Sequence, residues 1–179
     1  MSNPAEITPD TKDWTWVLDT TCPECGYDAG AVADLAEVAR ELRRTADDWA
    51  LVLRAPGATT RPRPDVWSPA EYGAHVRDVH RVFATRLELM LGADAPGFAN
   101  WDQDATALEE RYDRADPVEV ADELLAAASA VADRYDAVPD DALERTGARS
   151  DGSTFTVASL ARYHLHDIVH HLWDVRLGA

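Results

Sequence analysis

Four of the six histidines in this chain lie within a stretch of eight residues near its C-terminal end: His164, His166, His170 and His171. Residues four apart share one face of a helix, with about 5–6 Å between their Cβ atoms. That separation suits two imidazoles on one metal ion. Because His166 and His170 are the only histidine pair with this spacing, they predict two ligands on the last helix.

A third ligand has to come from another helix, and His75 is the candidate. It shares a helix face with apolar residues such as Tyr72 and Val79, which we expect to point inward. We therefore predict that His75, His166 and His170 hold one divalent ion. Three imidazoles leave positions open for water or substrate, as in catalytic sites. The alternative is that these histidines only fill the core or complement the helix dipole.

Three further polar residues could assist such a site. Arg86 lies on the same side of its helix as His75 and could receive a substrate carboxylate. Asp167 and Asp174 could accept hydrogen bonds from ligand imidazoles. The alternative for all three is an ordinary charged residue on the surface of the bundle.

Cys22 and Cys25 belong to a C-P-E-C-G segment that looks like half of a zinc ribbon. A closed structural zinc site needs four ligands, and the chain has no second C-x-x-C, so His164, His171 or His80 would have to complete it. A redox pair is a second interpretation, because a nearby helix N-terminus lowers a thiol pKa. Two reduced thiols in a packed segment are the third.

Four amphipathic stretches must position these residues, and they span approximately 29–54, 68–91, 116–138 and 156–176. Ser68-Pro69-Ala70-Glu71 is a capping box with proline at the first helical position. Residues 94–114 are acidic and less regular, and the one strand-like segment within 139–154 is too short to predict a sheet. We predict an all-α fold: an up-and-down four-helix bundle, residues 29–179, preceded by a short non-helical N-terminal extension, residues 1–28, with the C-x-x-C.

Composition limits the partners of this 179-residue chain, which has 17 basic and 33 acidic residues and a formal charge of −16. Such a charge argues against nucleic acid and against anionic membrane surfaces as partners. No apolar run approaches the roughly 18 residues of a membrane span, and no signal-peptide pattern begins the chain. We expect a cytoplasmic protein with a small-molecule substrate or thiol as partner. The sequence leaves a homodimer open.

The chain contains two motifs of spaced residues: W-S-x-x-E-x-x-x-H, from Trp67 to His75, and H-x-x-x-H-H, from His166 to His171. Together they resemble the pattern of the DinB-like superfamily, a group unrelated to the DNA polymerase of the same name. The resemblance covers residues 29–178. The superfamily includes bacillithiol and mycothiol S-transferases and mycothiol-dependent maleylpyruvate isomerases. The N-terminal C-x-x-C is not part of the family pattern.

The resemblance implies a four-helix bundle that binds zinc or nickel through one ligand from the second helix and two from the last. These ligands carry over to His75, His166 and His170. The isomerases have Glu where this chain has His166, so an all-histidine set resembles the S-transferases more. The implied activity is metal-dependent activation of a small thiol, as cosubstrate for transfer, or of water for hydrolysis. The alternative is a non-catalytic bundle that binds a metal or small ligand, or an interaction module.

Overall fold

The computed structural model describes residues 7–9 and 12–177 of the chain. Within these ranges it contains α1 (Leu35–Leu53), α2 (Pro69–Gly92), α3 (Gln103–Glu109), α4 (Pro117–Asp136) and α5 (Val157–Leu177), together with the short strands β1 (Gly97–Phe98), β2 (Thr146–Arg149) and β3 (Thr154–Thr156). No helix in the described part combines the length and apolar character needed to cross a bilayer. Helices α1, α2, α4 and α5 correspond to the four long helices that the sequence predicts, which confirms that prediction.

Capping residues set the starts of the helices. The Ser68–Glu71 capping box of α2 is complete, because each side chain accepts from the backbone N–H of the other residue. Glu71 is further held by a salt bridge to Arg61. The first helix begins at Leu35 rather than near residue 29, because the Asp34 side chain caps it and residues 29–31 form a separate 3₁₀ turn.

The order of the helices around the bundle differs from an up-and-down arrangement. In that arrangement, helices that follow one another in the chain are neighbours. Here α1 packs mainly on α4 and α5, and α2 also packs on α4 and α5, whereas α1 and α2 have few contacts. The order around the bundle is therefore α1, α4, α2, α5. Amphipathic periodicity shows which face of a helix is buried, but not which helix covers that face.

A small sheet covers one end of α2, which corrects the prediction that the chain forms no sheet. Strands β1 and β2 are parallel, with Gly97 opposite Ala148, and β2 and β3 are antiparallel, with Gly147 opposite Phe155. Strands of two to four residues are too short for alternation to be recognised, and the β1–β2 pair joins segments about 50 residues apart. The sheet places the loop after β1 and the end of β2 beside α2.

The N-terminal segment contributes to the same hydrophobic core as the helices. Val17 and Cys22 are buried, and the Tyr27 hydroxyl donates a hydrogen bond to the Arg162 carbonyl of α5, with an O–O distance of 2.8 Å. Residues 12–28 thus pack against α5, although the sequence shows no helical periodicity there.

Gly147 of β2 packs closely against Met90 of α2 and Phe98 of β1. A Cβ atom at this position would lie 2.7 Å from Met90 Cγ and 2.8 Å from Phe98 Cε1. We expect Gly147→Ala to lower the free energy of unfolding by about 1–3 kcal/mol through overpacking, measured by chemical denaturation. Gly97→Ala is the control, because a Cβ atom there meets nothing within 4 Å. Equal stability of the two variants would contradict this packing.

Candidate metal centre

Helix α5 carries two pairs of potential metal ligands, offset by one residue: His166 with His170, and Asp167 with His171. Each pair has the i, i+4 spacing that places two side chains on one face. A step of one residue rotates the direction of a side chain by about 100° around the helix axis. The two pairs therefore face different neighbours.

The structure does not bring the three predicted histidines together. His75 of α2 meets Asp167 and His171, whereas His166 and His170 meet Cys22 and Cys25 of the N-terminal segment. In each group the ligand atoms lie within 4.8 Å of one another. We call His75, Asp167 and His171 the three-residue cluster, and the other group the four-residue cluster.

Two residues of the three-residue cluster were not predicted as its ligands: His171, and Asp167, which the sequence suggested only as a hydrogen-bond acceptor. The sequence signal was present, because Asp167 and His171 have the same spacing as His166 and His170. This spacing indicates a pair of metal ligands only when a carboxylate is counted as a ligand equivalent to an imidazole.

The distances in the three-residue cluster match those expected for ligand atoms of one metal ion. Asp167 Oδ1 lies 3.7 Å from His75 Nε2 and 3.5 Å from His171 Nε2. These separations are longer than normal hydrogen bonds. Two ligands about 2.0–2.1 Å from a tetrahedral ion are separated by roughly 3.4 Å. Asp167 Oδ1 and His75 Nε2 are also buried without a hydrogen-bond partner, so the donor set fits a metal ion.

His75 contacts two tryptophan rings. The Trp101 ring lies parallel to it at a centroid distance of 5.3 Å, and Trp67 lies 5.4 Å away. The Trp101 indole N–H in turn donates to the Thr106 hydroxyl of α3 at 2.8 Å. Burial lowers the pKa of His75, so the imidazole is neutral at pH 7, the form that binds a metal.

Asp167 and His171 form the open side of the cluster. About a quarter of the Asp167 side chain is exposed, and 17% of the His171 side chain. Burial acts to raise the pKa of Asp167, but His75 and His171 outweigh it and hold the pKa below its usual range. His171 Nδ1 lies 2.9 Å from Asp174 Oδ2. This bond orients the imidazole so that Nε2 faces Asp167, the role that the sequence suggested for Asp174.

The four-residue cluster lies on the neighbouring face of α5. Cys22, His166 and His170 are buried, and Cys25 is half-buried. Burial lowers the pKa of His166 to about 4 and raises the pKa of the Cys25 thiol to about 12. Burial also lowers the pKa of His170, so both imidazoles are neutral at pH 7.

The remaining two histidines are structural and do not complete a site with the cysteines. His80 Nδ1 lies 3.0 Å from His164 Nε2, and His164 Nδ1 lies 3.2 Å from the Tyr135 hydroxyl. All three side chains are buried in the bundle. Burial lowers the pKa of His80 to about 3, so this pair is neutral and links α2, α4 and α5 through hydrogen bonds.

A pocket of about 440 Å³ opens beside the three-residue cluster. Asp167 and His171 lie in its wall, together with Arg86 and Arg149. Arg149 is paired with Asp151 at 2.7 Å. Arg86 is 94% buried and donates to the Ala99 carbonyl at 3.3 Å, but within the described ranges no carboxylate forms an ion pair with it. Burial, reinforced by Arg149, lowers the pKa of Arg86.

Comparison with solved structures shows a similar fold. YfiT from Bacillus subtilis, described as a probable metal-dependent hydrolase with an unusual four-helix bundle topology, superposes with a TM-score of 0.65 at 18% sequence identity. The alignment covers 97% of this chain and 94% of YfiT. At this identity the likeness concerns the fold. No curated protein matches the sequence.

The sequence also matches a family model. The model of the DinB superfamily aligns with residues 57–175, which include α2, α4, most of α5 and all three residues of the three-residue cluster. This match confirms the resemblance carried by the Trp67–His75 and His166–His171 motifs. The chain therefore belongs to the DinB superfamily.

Proposed function

We propose that this protein is a metal-dependent enzyme whose divalent ion is held by His75, Asp167 and His171. One observation carries the proposal: two imidazole nitrogens, one from α2 and one from α5, lie 3.5–3.7 Å from the same Asp167 carboxylate oxygen beside an open pocket. The metal-dependent hydrolase activity attributed to YfiT, which has a similar fold, supports it. Zinc and nickel, the metals that the family resemblance implies, both accept imidazole and carboxylate ligands.

The ligand set determines the charge of the site. Two neutral imidazoles and one carboxylate leave a divalent ion with a net charge of about +1, lower than the three-histidine set would leave. An ion held there would act as a Lewis acid that makes water or a thiol more acidic. A carboxylate ligand also brings the set closer to the isomerase pattern, in which one ligand is acidic, than to the S-transferase pattern.

Arg86 indicates the charge of the substrate. A buried guanidinium without a counter-ion is costly. Arg86 is buried in the pocket wall, where it donates to the Ala99 carbonyl and lies over the rings of Phe83 and Phe98, but it forms no ion pair with a carboxylate of the described residues. A ligand carboxylate in the pocket would supply the missing charge through bidentate hydrogen bonds. We infer that the substrate is a small electrophile that carries a carboxylate.

The surrounding aromatic residues limit the water around the reacting groups. Trp101 stacks on His75, and Trp14 lies against His170, and both indoles line the pocket. Asp174 keeps His171 in one tautomer, which preserves the direction of Nε2. These residues position and shield the site. The nucleophile is water or a low-molecular-weight thiol, and a non-catalytic metal-binding bundle is the alternative.

Loss of one ligand should remove the ion. We expect His75→Ala, Asp167→Asn and His171→Ala each to contain one metal equivalent less than the wild type, because the remaining two ligands cannot hold the ion tightly. Metal analysis of protein purified without chelator measures this. Asp47→Asn, which removes an exposed carboxylate of α1, is the control for charge. Unchanged metal content in folded His75→Ala and His171→Ala variants would contradict the proposal.

Arg86 can be tested separately from the ion. Arg86→Met keeps the length of the side chain and removes its charge, so we expect affinity for a small dicarboxylate such as maleate to fall by about tenfold to hundredfold, as for the loss of a charged hydrogen bond. The melting temperature should be unchanged or higher, because an unpaired buried charge is removed. Titration calorimetry and thermal denaturation measure the two effects. Arg40→Met, at an exposed position of α1, is the control, and equal affinities would refute the role of Arg86.

The nucleophile can be identified with cobalt in place of the native ion. We expect mycothiol to change the visible spectrum of the cobalt protein, and this change to disappear in His171→Ala. The comparison uses a Cys22→Ser/Cys25→Ser background, so that the protein's own thiols do not contribute absorption. If several cellular thiols leave the spectrum unchanged while water exchanges at the site, the result favours hydrolysis over thiol transfer as the reaction. A site closed to both would favour the non-catalytic alternative.

A further inference from the structure

We propose that Cys22, Cys25, His166 and His170 hold a second metal ion, a structural zinc that attaches the N-terminal segment to α5. One ligand atom from each residue lies within 4.8 Å of the other three. Two thiolates and two imidazoles complete a tetrahedral zinc site and leave no position for substrate, which is the arrangement of structural zinc. This inference is independent of the function proposed for the three-residue cluster.

The turn between the two cysteines is built to direct both thiols to one side. The Gly26 N–H donates to the Cys22 carbonyl at 2.9 Å, and the Cys22 N–H donates to the Tyr27 carbonyl at 2.8 Å. Gly26 has a φ of +75°, a conformation that favours glycine. The C-P-E-C-G segment therefore closes on itself before it meets α5.

The contacts between the turn and α5 have the dimensions of a zinc site. Cys22 Sγ lies 3.7 Å from His170 Nδ1, and a sulfur and a nitrogen on one tetrahedral zinc are separated by roughly 3.6 Å. A thiol hydrogen bond could account for this one pair. It does not account for His166 Nε2, which is buried without any hydrogen-bond partner. A shared ion satisfies both histidines.

Glu24, between the two cysteines, supports the second nitrogen of His170. Glu24 Oε2 lies 3.3 Å from His170 Nε2. A ligand imidazole commonly donates its other N–H to a carboxylate, which orients the ring and strengthens its bond to the metal. The five-residue turn thus provides two ligands and the outer partner of a third.

The ion would also shape the pocket beside the three-residue cluster. Trp14 lies 4.7 Å from the His170 ring and 5.5 Å from the His166 ring. Lys12, Asp13 and Trp14 form one wall of the pocket. A zinc that fixes the turn against α5 therefore keeps this wall in place.

Metal content separates the two sites. We expect the wild type purified without chelator to contain zinc at this site. The Cys22→Ser/Cys25→Ser variant should lack that zinc, and the His75→Ala variant should retain it. In the cobalt protein, absorption from sulfur ligands should be present without any added thiol. It should persist in His171→Ala and disappear in His170→Ala, a matched pair one residue apart on α5. The cysteine variant should also be cleaved faster by protease within the N-terminal segment.

Thiol reactivity tests the wild type itself, in case the variants fail to fold. We expect the two thiols to react slowly with a disulfide reagent until a strong chelator removes the zinc. Rapid reaction of both thiols in metal-loaded protein, or cobalt absorption without a sulfur contribution, would overturn the proposal. If the mass of the protein is lower by two hydrogens and a reductant restores it, the two cysteines form a disulfide instead of a zinc site. If His75→Ala loses no metal but the cysteine variant does, only the proposed function fails.

Discussion

The rotation of about 100° between adjacent residues of α5 is the geometric constraint on which the rest of the site depends. His166 and His170 face the N-terminal segment, whereas Asp167 and His171 face α2. The two residues of each pair are four apart, and the two pairs are offset by one residue. One helix therefore provides ligands to two different neighbours. The position of every other residue in the site follows from which face of α5 it approaches.

Burial then determines the chemical state of these ligands. His75, His166 and His170 are all removed from solvent, and burial lowers the pKa of each. A neutral imidazole has a free lone pair, so it can bind a metal without first losing a proton. The His80–His164 pair is equally buried but has a protein partner, and it therefore links helices instead of forming a site.

The irregular segments around α5 contribute the residues that form a pocket beside the helices of the bundle. The loop after β1 brings Trp101 over His75, and the end of β2 brings Arg149 beside Arg86. The N-terminal segment contributes Trp14, which lines the same pocket. These segments surround a pocket whose buried Arg86 has no counter-ion among the described residues, and this favours an anionic ligand.

Sequence reasoning determined much of the fold and part of the site. Apolar periodicity and the capping box at Ser68 located the long helices, because these signals depend on residues close together in the chain. The motifs around His75 and His166–His171 indicated the family. They also placed the candidate metal chemistry on α2 and α5.

The sequence by itself therefore determined the helices, the family and the residue types available for binding a metal. Only the tertiary structure decided which ligands meet, because that depends on the neighbour that each face of α5 contacts. A difference of one residue on a helix is slight in a sequence pattern, but it separates Asp167 from His166 by more than a quarter turn. The same applies to Cys22 and Cys25, which are about 140 residues from the histidines in the chain and meet them only through folding.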